Sequence, residues 1–328
     1  MDLIDGRELG AEGAAALAEL QTVTQTDVYD DEPPVPAAEV AADLGHPPAL
    51  REHLVWLEWG DRGLDGAALL ELEHRPDNPH LAELSLWVRP EARRRSLGRR
   101  LLEAVSKEAT PRSRTQILGY AAEGTPGYAF ATAVGGVVNL VEHENRLLTA
   151  ELDRSLLERW VDQAAERAVG YSLVAFDDRC PDDLLEGFVA VNAVMNDAPR
   201  ADSIEDFIFT AEEVRQREEA WAAKGAPVWT VVARHDATGE IVGLTELVIP
   251  PHRPWRAHQG DTGVNPAHRG KSLGRWLKAV NLLRLLDERP AVREVETYNA
   301  GTNQAMLSIN HALGFTRRVA WTEFELRL

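Results

Sequence analysis

The segments Val88-Arg-Pro-Glu-Ala-Arg93-Arg94-Arg95-Ser96-Leu97-Gly98-Arg99-Arg-Leu101 and Val264-Asn-Pro-Ala-His-Arg269-Gly270-Lys271-Ser272-Leu273-Gly274-Arg275-Trp-Leu277 are one pattern written twice, 176 residues apart and identical at 8 of 14 positions. Each copy runs from an apolar, β-prone stretch through a basic, small-residue turn into an amphipathic helix. Free backbone N–H groups at a helix start, together with the helix dipole, favour an anion. Small residues let the backbone come close to it. This layout suits the holding of a pyrophosphate. Its recurrence predicts two related domains, each built around an anion-binding strand–turn–helix.

Side chains able to move protons cluster near the second copy. Glu246 lies in Leu244-Thr-Glu246-Leu-Val, a run of strand formers. Partial burial there would raise its pKa toward the working range of a base. Asp261 stands beside the strand that leads into the turn, and His258 and His268 flank it. The loop Asn196–Asp206 carries acids suited to a cationic partner. Cys180 is the only cysteine, so no intrachain disulfide forms.

Hydrophobic periodicity supplies the elements that hold these groups. Helices are expected over Ala11–Leu20, from Leu97, over Tyr128–Val134, Ser155–Ala168, Asp182–Met195 and Ala211–Ala223, from Leu273, and over Gln304–Leu313. Strands are expected over Leu54–Trp59, Ala67–Glu73, Leu81–Val88, Thr115–Tyr120, Arg146–Leu152, Tyr171–Phe176, Val228–Ala233, Ile241–Ile249, Thr262–Val264, Val292–Thr297 and Val319–Leu326. Strand pairs, a strand–turn–helix and a strand–helix–strand occur in that order twice. This is an α/β plan with one mixed, mostly antiparallel sheet per domain, flanked by helices. The reading divides the chain into 1–153, a connecting helix over 154–170, and 171–328.

At 328 residues and 44% hydrophobic content the chain is long enough for two cores. Its formal net charge of −18 argues against nucleic acid as the main partner. No apolar run is long enough to span a bilayer. The start, Met1-Asp-Leu-Ile-Asp-Gly, has no apolar leader region, so a cytoplasmic location is expected. Neither copy has the Gly-x-Gly-x-x-Gly turn of a dinucleotide-binding oxidoreductase.

The repeated turn, Arg93-x-x-Ser96-x-Gly98 and Arg269-x-x-Ser272-x-Gly274, resembles motif A of the GNAT superfamily of acyl-CoA-dependent N-acyltransferases. That family favours Arg/Gln-x-x-Gly/Ala-x-Gly/Ala, so the serines depart from it. A second family pattern, Asn-x-x-Ala-x-x-x-Tyr-x-x-Leu-Gly-Phe, resembles Asn303-Gln-Ala-Met306-Leu-Ser-Ile-Asn310-His-Ala-Leu313-Gly314-Phe315. The resemblance implies two tandem GNAT-like domains, similar in layout to mycothiol synthases. It implies acetyl-CoA or another acyl-CoA as co-substrate, no metal, and the amine of a small molecule as acceptor, with no nucleic acid or membrane partner, in a monomer or homodimer.

Carried onto this chain, the resemblance implies acyl-CoA contacts at Val264, Arg269, Gly270, Lys271, Ser272, Leu273, Gly274, Arg275 and Asn303. The first copy would contribute Val88, Arg93, Arg94, Arg95, Ser96, Leu97, Gly98 and Arg99. Val264 and Val88 would offer backbone N–H groups to a thioester carbonyl. Glu246 or Asp261 would take the amine proton, and Asn310 stands where many members place a proton-donating tyrosine. Asparagine does not readily give up a proton. In the first half that stretch reads Gly124-Thr-Pro-Gly-Tyr128-Ala-Phe-Ala131-Thr-Ala-Val134-Gly135-Gly136, without the asparagine or the tyrosine. The second half is therefore expected to be the catalytic one, and the first a degenerate acyl-CoA binder or scaffold. The competing reading is a non-catalytic acyl-CoA-binding or scaffolding protein.

Overall fold

Apolar alternation organises residues 51–73. Leu54, Trp56, Ala68, Leu70 and Leu72 pack on one side, and Val55, Leu57, Leu64 and Ala67 on the other. A strand that buries both faces needs cover on both. All 328 residues are described in the computed structural model, and they form two compact units.

The first unit comprises Met1–Glu142, Arg200–Glu205 and Val319–Leu328. Its early elements are β1 (Asp2–Asp5), α1 (Gly10–Gln25), α2 (Ala37–Gly45), β2 (Arg51–Gly60) and β3 (Gly63–Glu73). There follow β4 (Leu81–Val88), α3 (Leu97–Ala109), β5 (Gln116–Ala122), α4 (Pro126–Ala133) and the start of β6 (Val137–Leu148). One face of its sheet is covered by α1 and α2 through Leu17, Leu20, Val40 and Leu44, the other by α3 through Leu101 and Val105. Each fully buried leucine of this kind contributes ~1.5–3 kcal/mol. β1 to β4 are antiparallel neighbours, and β4 pairs β5 in parallel over Leu81–Glu83.

The second unit comprises His143–Pro199 and Asp206–Arg318. It contains α5 (Arg154–Arg167), β7 (Tyr171–Asp177), α6 (Leu185–Asn192), α7 (Ala211–Lys224), β8 (Val228–His235) and β9 (Ile241–Val248). It continues with β10 (Arg256–Val264), α8 (Leu273–Glu288), β11 (Glu294–Ala300) and α9 (Gln304–Leu313). The order is β7-β8-β9-β10-β11 and then the His143–Leu148 end of β6. β7 to β10 are antiparallel neighbours, and β10 and β11 are parallel. All eight residues of β9 are buried. Leu244 faces α6 and α7, while Val242 and Leu247 face α5 and α8.

Several elements differ from the sequence expectation in extent; β10 covers nine residues, Arg256–Val264, against the three expected over Thr262–Val264, and α1, β3 and the strand Thr316–Arg327 are longer than expected. β6 starts at Val137, not Arg146, and its 12 residues include only two of the residues expected there, Leu147 and Leu148, besides Arg146. Its charged centre, Glu142-His-Glu-Asn-Arg146, hides the strand from an apolar count. The helix expected over Asp182–Met195 is Leu185–Asn192 followed by a 3-10 turn, Ala193–Asp197. β1 and α2 had no counterpart in the sequence reading.

The final strand, β12 (Thr316–Arg327), pairs antiparallel with β5 from Trp321↔Ala122 to Arg327↔Gln116, so the carboxyl end of the chain closes the first unit. Phe324 is buried there against Tyr128, ring centroids 5.1 Å apart. Phe324→Ala is expected to destabilise the first unit by about 3 kcal/mol, since it deletes a buried ring without a means of collapse. Denaturant melts followed by proteolysis of the first unit check this; an unchanged midpoint would contradict the packing.

Candidate active site

The strand before the second turn is split from its neighbour. β10 keeps parallel register with β11 only over Arg256–His258, opposite Glu294–Glu296. Beyond that point β10 follows β9, with a bulge between Gln259 and Thr262. Asn265 N–H donates to Val242 O at 2.8 Å. Antiparallel alternation then gives Gly263 the next bonded pair with Leu244 and turns the Val264 N–H away from β9, into the gap where β11 has diverged. Thr297 Oγ1 closes the mouth of the split by donating to Gln259 O at 3.1 Å. Gln259 Nε2 donates to Glu246 O at 2.6 Å, and its Oε1 is a buried acceptor without a protein partner. The first unit repeats the geometry: β4 and β5 stay in register only to Glu83↔Leu118, and Arg89 N–H donates to Asp65 O at 2.9 Å.

The turn that follows is shaped by backbone conformation more than by its charges. Gly270 has φ 80° and Ser272 φ 63°; the matching first-unit residues, Arg94 and Ser96, have φ 63° and 62°. These left-handed positions explain why a small residue suits the fourth site of the motif. α8 begins at Leu273 and α3 at Leu97, with no side chain capping the first N–H groups of either. An anion fits such an end. The leading arginines hold their own turns in place. Arg269 Nε donates to Val264 O at 2.9 Å and its Nη2 to Asp197 at 2.7 Å. Arg93 Nε donates to Val88 O at 3.0 Å and its Nη1 to Asp27 at 3.0 Å. Both guanidiniums clasp their own turn to a carboxylate; Asp197 belongs to the loop whose acids were expected to meet a cationic partner, while Asp27 was not marked by the sequence.

The two turns differ at the helix start. A Cβ on Gly274 would meet Ile309 Cδ1 at 3.5 Å, an ordinary contact, whereas one on Gly98 would meet the Phe130 ring at 3.1 Å. The first turn is therefore the more covered. Lys271 lies over the Tyr171 ring at 5.9 Å, and Arg275 over Trp160 at 5.3 Å. Arg99 donates to Ala133 O at 3.1 Å.

The carboxylates come together on the α7 face of the second sheet. Glu246 on β9 is 8% exposed, opposite Thr230 of β8. It accepts from Arg217 Nη2 of α7 at 3.1 Å and bonds with the Thr230 side chain. Burial raises its pKa above the ordinary carboxylate range; Arg217 opposes the rise, while Asp261 and Glu218 add to it. Asp261, in the bulge of β10, is likewise raised by burial and opposed by Arg217. One arginine thus serves two carboxylates that repel each other, an arrangement suited to exchanging a proton. Arg217 was missed because Arg215-Gln-Arg217-Glu reads as an ordinary polar helix face.

Asn303 caps α9, accepting from Met306 N–H at 3.2 Å. Asn310 is fully buried: Lys278 Nζ donates to its Oδ1 at 2.9 Å, and its Nδ2 donates to Asn299 Oδ1 at 2.7 Å. His268 Nδ1 is 2.8 Å from the Tyr171 hydroxyl, and His258 Nδ1 is 3.7 Å from Glu296. Of the expected acidic loop, Asp197 holds Arg269, and Arg200–Glu205 packs in the first unit, where Asn78 brackets the backbone of Glu205 at 2.7 and 3.3 Å.

The fold agrees with comparison to known proteins. The profile of the Acetyltransferase (GNAT) family matches residues 15–133 and again 191–315. A tandem GNAT protein from the clavulanic acid biosynthesis pathway, solved without AcCoA, superposes with a TM-score of 0.78 at 25% identity, covering 99% of this chain and 98% of that one. A GCN5-related N-acetyltransferase from Sphaerobacter thermophilus superposes with a TM-score of 0.67 at 16% identity, covering 99% and 95%. No curated protein matches the sequence. No helix is long and apolar enough to cross a membrane. With its two matches spanning most of the sequence, the chain belongs to the acetyltransferase (GNAT) family as a tandem member.

Proposed function

We propose that the second unit transfers an acyl group, acetyl in the first place, from acyl-CoA to the amine of a small molecule. The observation that carries this reading is the split between β10 and β11. On one arm it sets the Val264 N–H, continuous with an uncapped helix start; on the neighbouring strand lies Glu246, a buried carboxylate of raised pKa. The uncapped N–H groups of α8 would hold the pyrophosphate of the acyl donor. The Val264 N–H would donate to the thioester carbonyl as charge builds on its oxygen. Glu246 would take the proton of the attacking amine, with Asp261 and Arg217 setting its readiness. Bond formation from nitrogen to the acyl carbon is balanced by loss of the sulfur with its electron pair.

The first unit retains a split and a turn but not this chemistry. Gly66 pairs with Val88 as Gly243 pairs with Val264, which puts Leu69 where the second unit has Glu246. Its role in this account is to bind acyl-CoA without turnover or to support the fold.

A CoA-release assay with acetyl-CoA and a panel of small amines tests the proposal. Amine-dependent release that the first-unit substitution Gly98→Glu leaves intact is the expected result. Binding of acyl-CoA with no release for any amine would favour the non-catalytic reading.

A further inference from the structure

Lys278 is 1% exposed on α8, its only hydrogen-bond partner is Asn310 Oδ1, and no carboxylate lies within ion-pair reach. A lysine buried without a counter-ion is costly, and a fold that merely needed volume would use methionine or leucine. Its surroundings are an amide and the ring of Phe315, 5.8 Å from Nζ. Burial alone pulls its pKa down to about 7, with no charged group contributing.

The bonds around Lys278 have a direction. While it is charged, Lys278 only donates, which sets the Asn310 oxygen toward it and the Asn310 nitrogen toward Asn299. That nitrogen fixes the Asn299 oxygen in turn, and the Asn299 nitrogen is left without a protein partner. Asn299 is half-buried near the end of β11, beyond the last residue in register with β10, on the opposite arm of the split from Val264. The chain begins at a buried cation and ends in an N–H donor, each bond polarising the next.

We propose that Lys278, acting through Asn310 and Asn299, holds the negative charge of the departing thiolate. The inference rests on the acyl-transfer reading of the second unit. Two negative charges arise there, one on the carbonyl oxygen and one on the sulfur. Val264 serves the first from one arm, and the Asn299 amide serves the second from the other. The carbon–sulfur bond breaks with its electron pair on sulfur, the amine proton goes to Glu246, and the thiolate leaves as an anion that solvent protonates. No proton passes along the asparagines. Lys278 is a positioning and polarising residue, and the tyrosine of other family members is replaced by an electrostatic device.

The test compares CoA with desulfo-CoA, in which hydrogen replaces the thiol, by calorimetry at neutral pH and just below, where Lys278 still carries charge. Wild-type protein is expected to bind CoA more tightly, because a charged Lys278 favours the thiolate form of the ligand. Lys278→Met should cut the ratio of the two affinities about tenfold, the worth of a hydrogen bond to a charged group, without changing the affinity for desulfo-CoA. Asn299→Ala, a half-buried position, should do the same and guards against misfolding of the lysine variant. Equal wild-type affinities, or a ratio retained in both variants, would overturn the proposal. Failure of wild type to bind either compound would instead overturn the acyl-CoA reading beneath it.

Discussion

Gly274→Glu is expected to weaken acyl-CoA binding at the second turn by about a hundredfold or more. The substitution puts a carboxylate on the first turn of α8, where the pyrophosphate would lie, and like charges brought together in an interface cost several kcal/mol. The fold itself accepts a side chain there: the nearest atoms to a Cβ are Ile309 Cδ1 at 3.5 Å and Val264 Cγ2 at 3.9 Å. Loss of binding would therefore report the ligand and not collapse of the helix. A glutamine at the same position separates the steric part from the electrostatic one. Unchanged affinity in the glutamate variant would remove the turn from the binding site.

The second large effect belongs to Glu246. Glu246→Gln should lower kcat on the order of a hundredfold, within the usual range for a lost general base, and leave acyl-CoA affinity unaltered. A base works deprotonated, so wild-type kcat should rise as pH climbs through its pKa. Because burial lifts that pKa, the rise should fall above the ordinary carboxylate range, and it should vanish in the glutamine variant. Arg217→Met removes the opposing cation and should move the rise to still higher pH. A profile identical to wild type in Glu246→Gln would pass the role to Asp261, which shares the arginine.

The turn was legible because it is local. Its repeat, its small residues and the strand and helix on either side all sit within 14 consecutive residues, and the folded chain places them as the spacing implied. The buried strand carrying Glu246 was legible for the same reason: Ile241–Val248 is an apolar run interrupted only by Gly243, Thr245 and one acid. What escaped was everything set by distant partners. The pairing of β12 with β5 joins residues about 200 positions apart, and nothing in Val319–Leu328 states which strand it will choose. The clasp of Arg269 on Asp197 spans 72 residues, so nothing in the motif states that its arginine also ties down its own loop.

Lys278 shows the same limit from another side. Leu273, Leu277 and Val280 form the visible apolar stripe of α8, and a lysine beside Leu277 reads as the solvated face. The helix is buried more widely than its stripe, taking in Lys278 and Asn281 as well. Only tertiary packing reveals that the lysine lies inside, and only then does Asn310 gain a partner that gives its unusual position a meaning.

Calorimetric titration of the purified protein with acetyl-CoA tests the central claim most directly. Saturable binding near one per chain is expected, or two if the first turn is also live, with the second-unit site lost in Gly274→Glu. An absence of binding with acetyl-CoA and with longer acyl-CoA thioesters would contradict it.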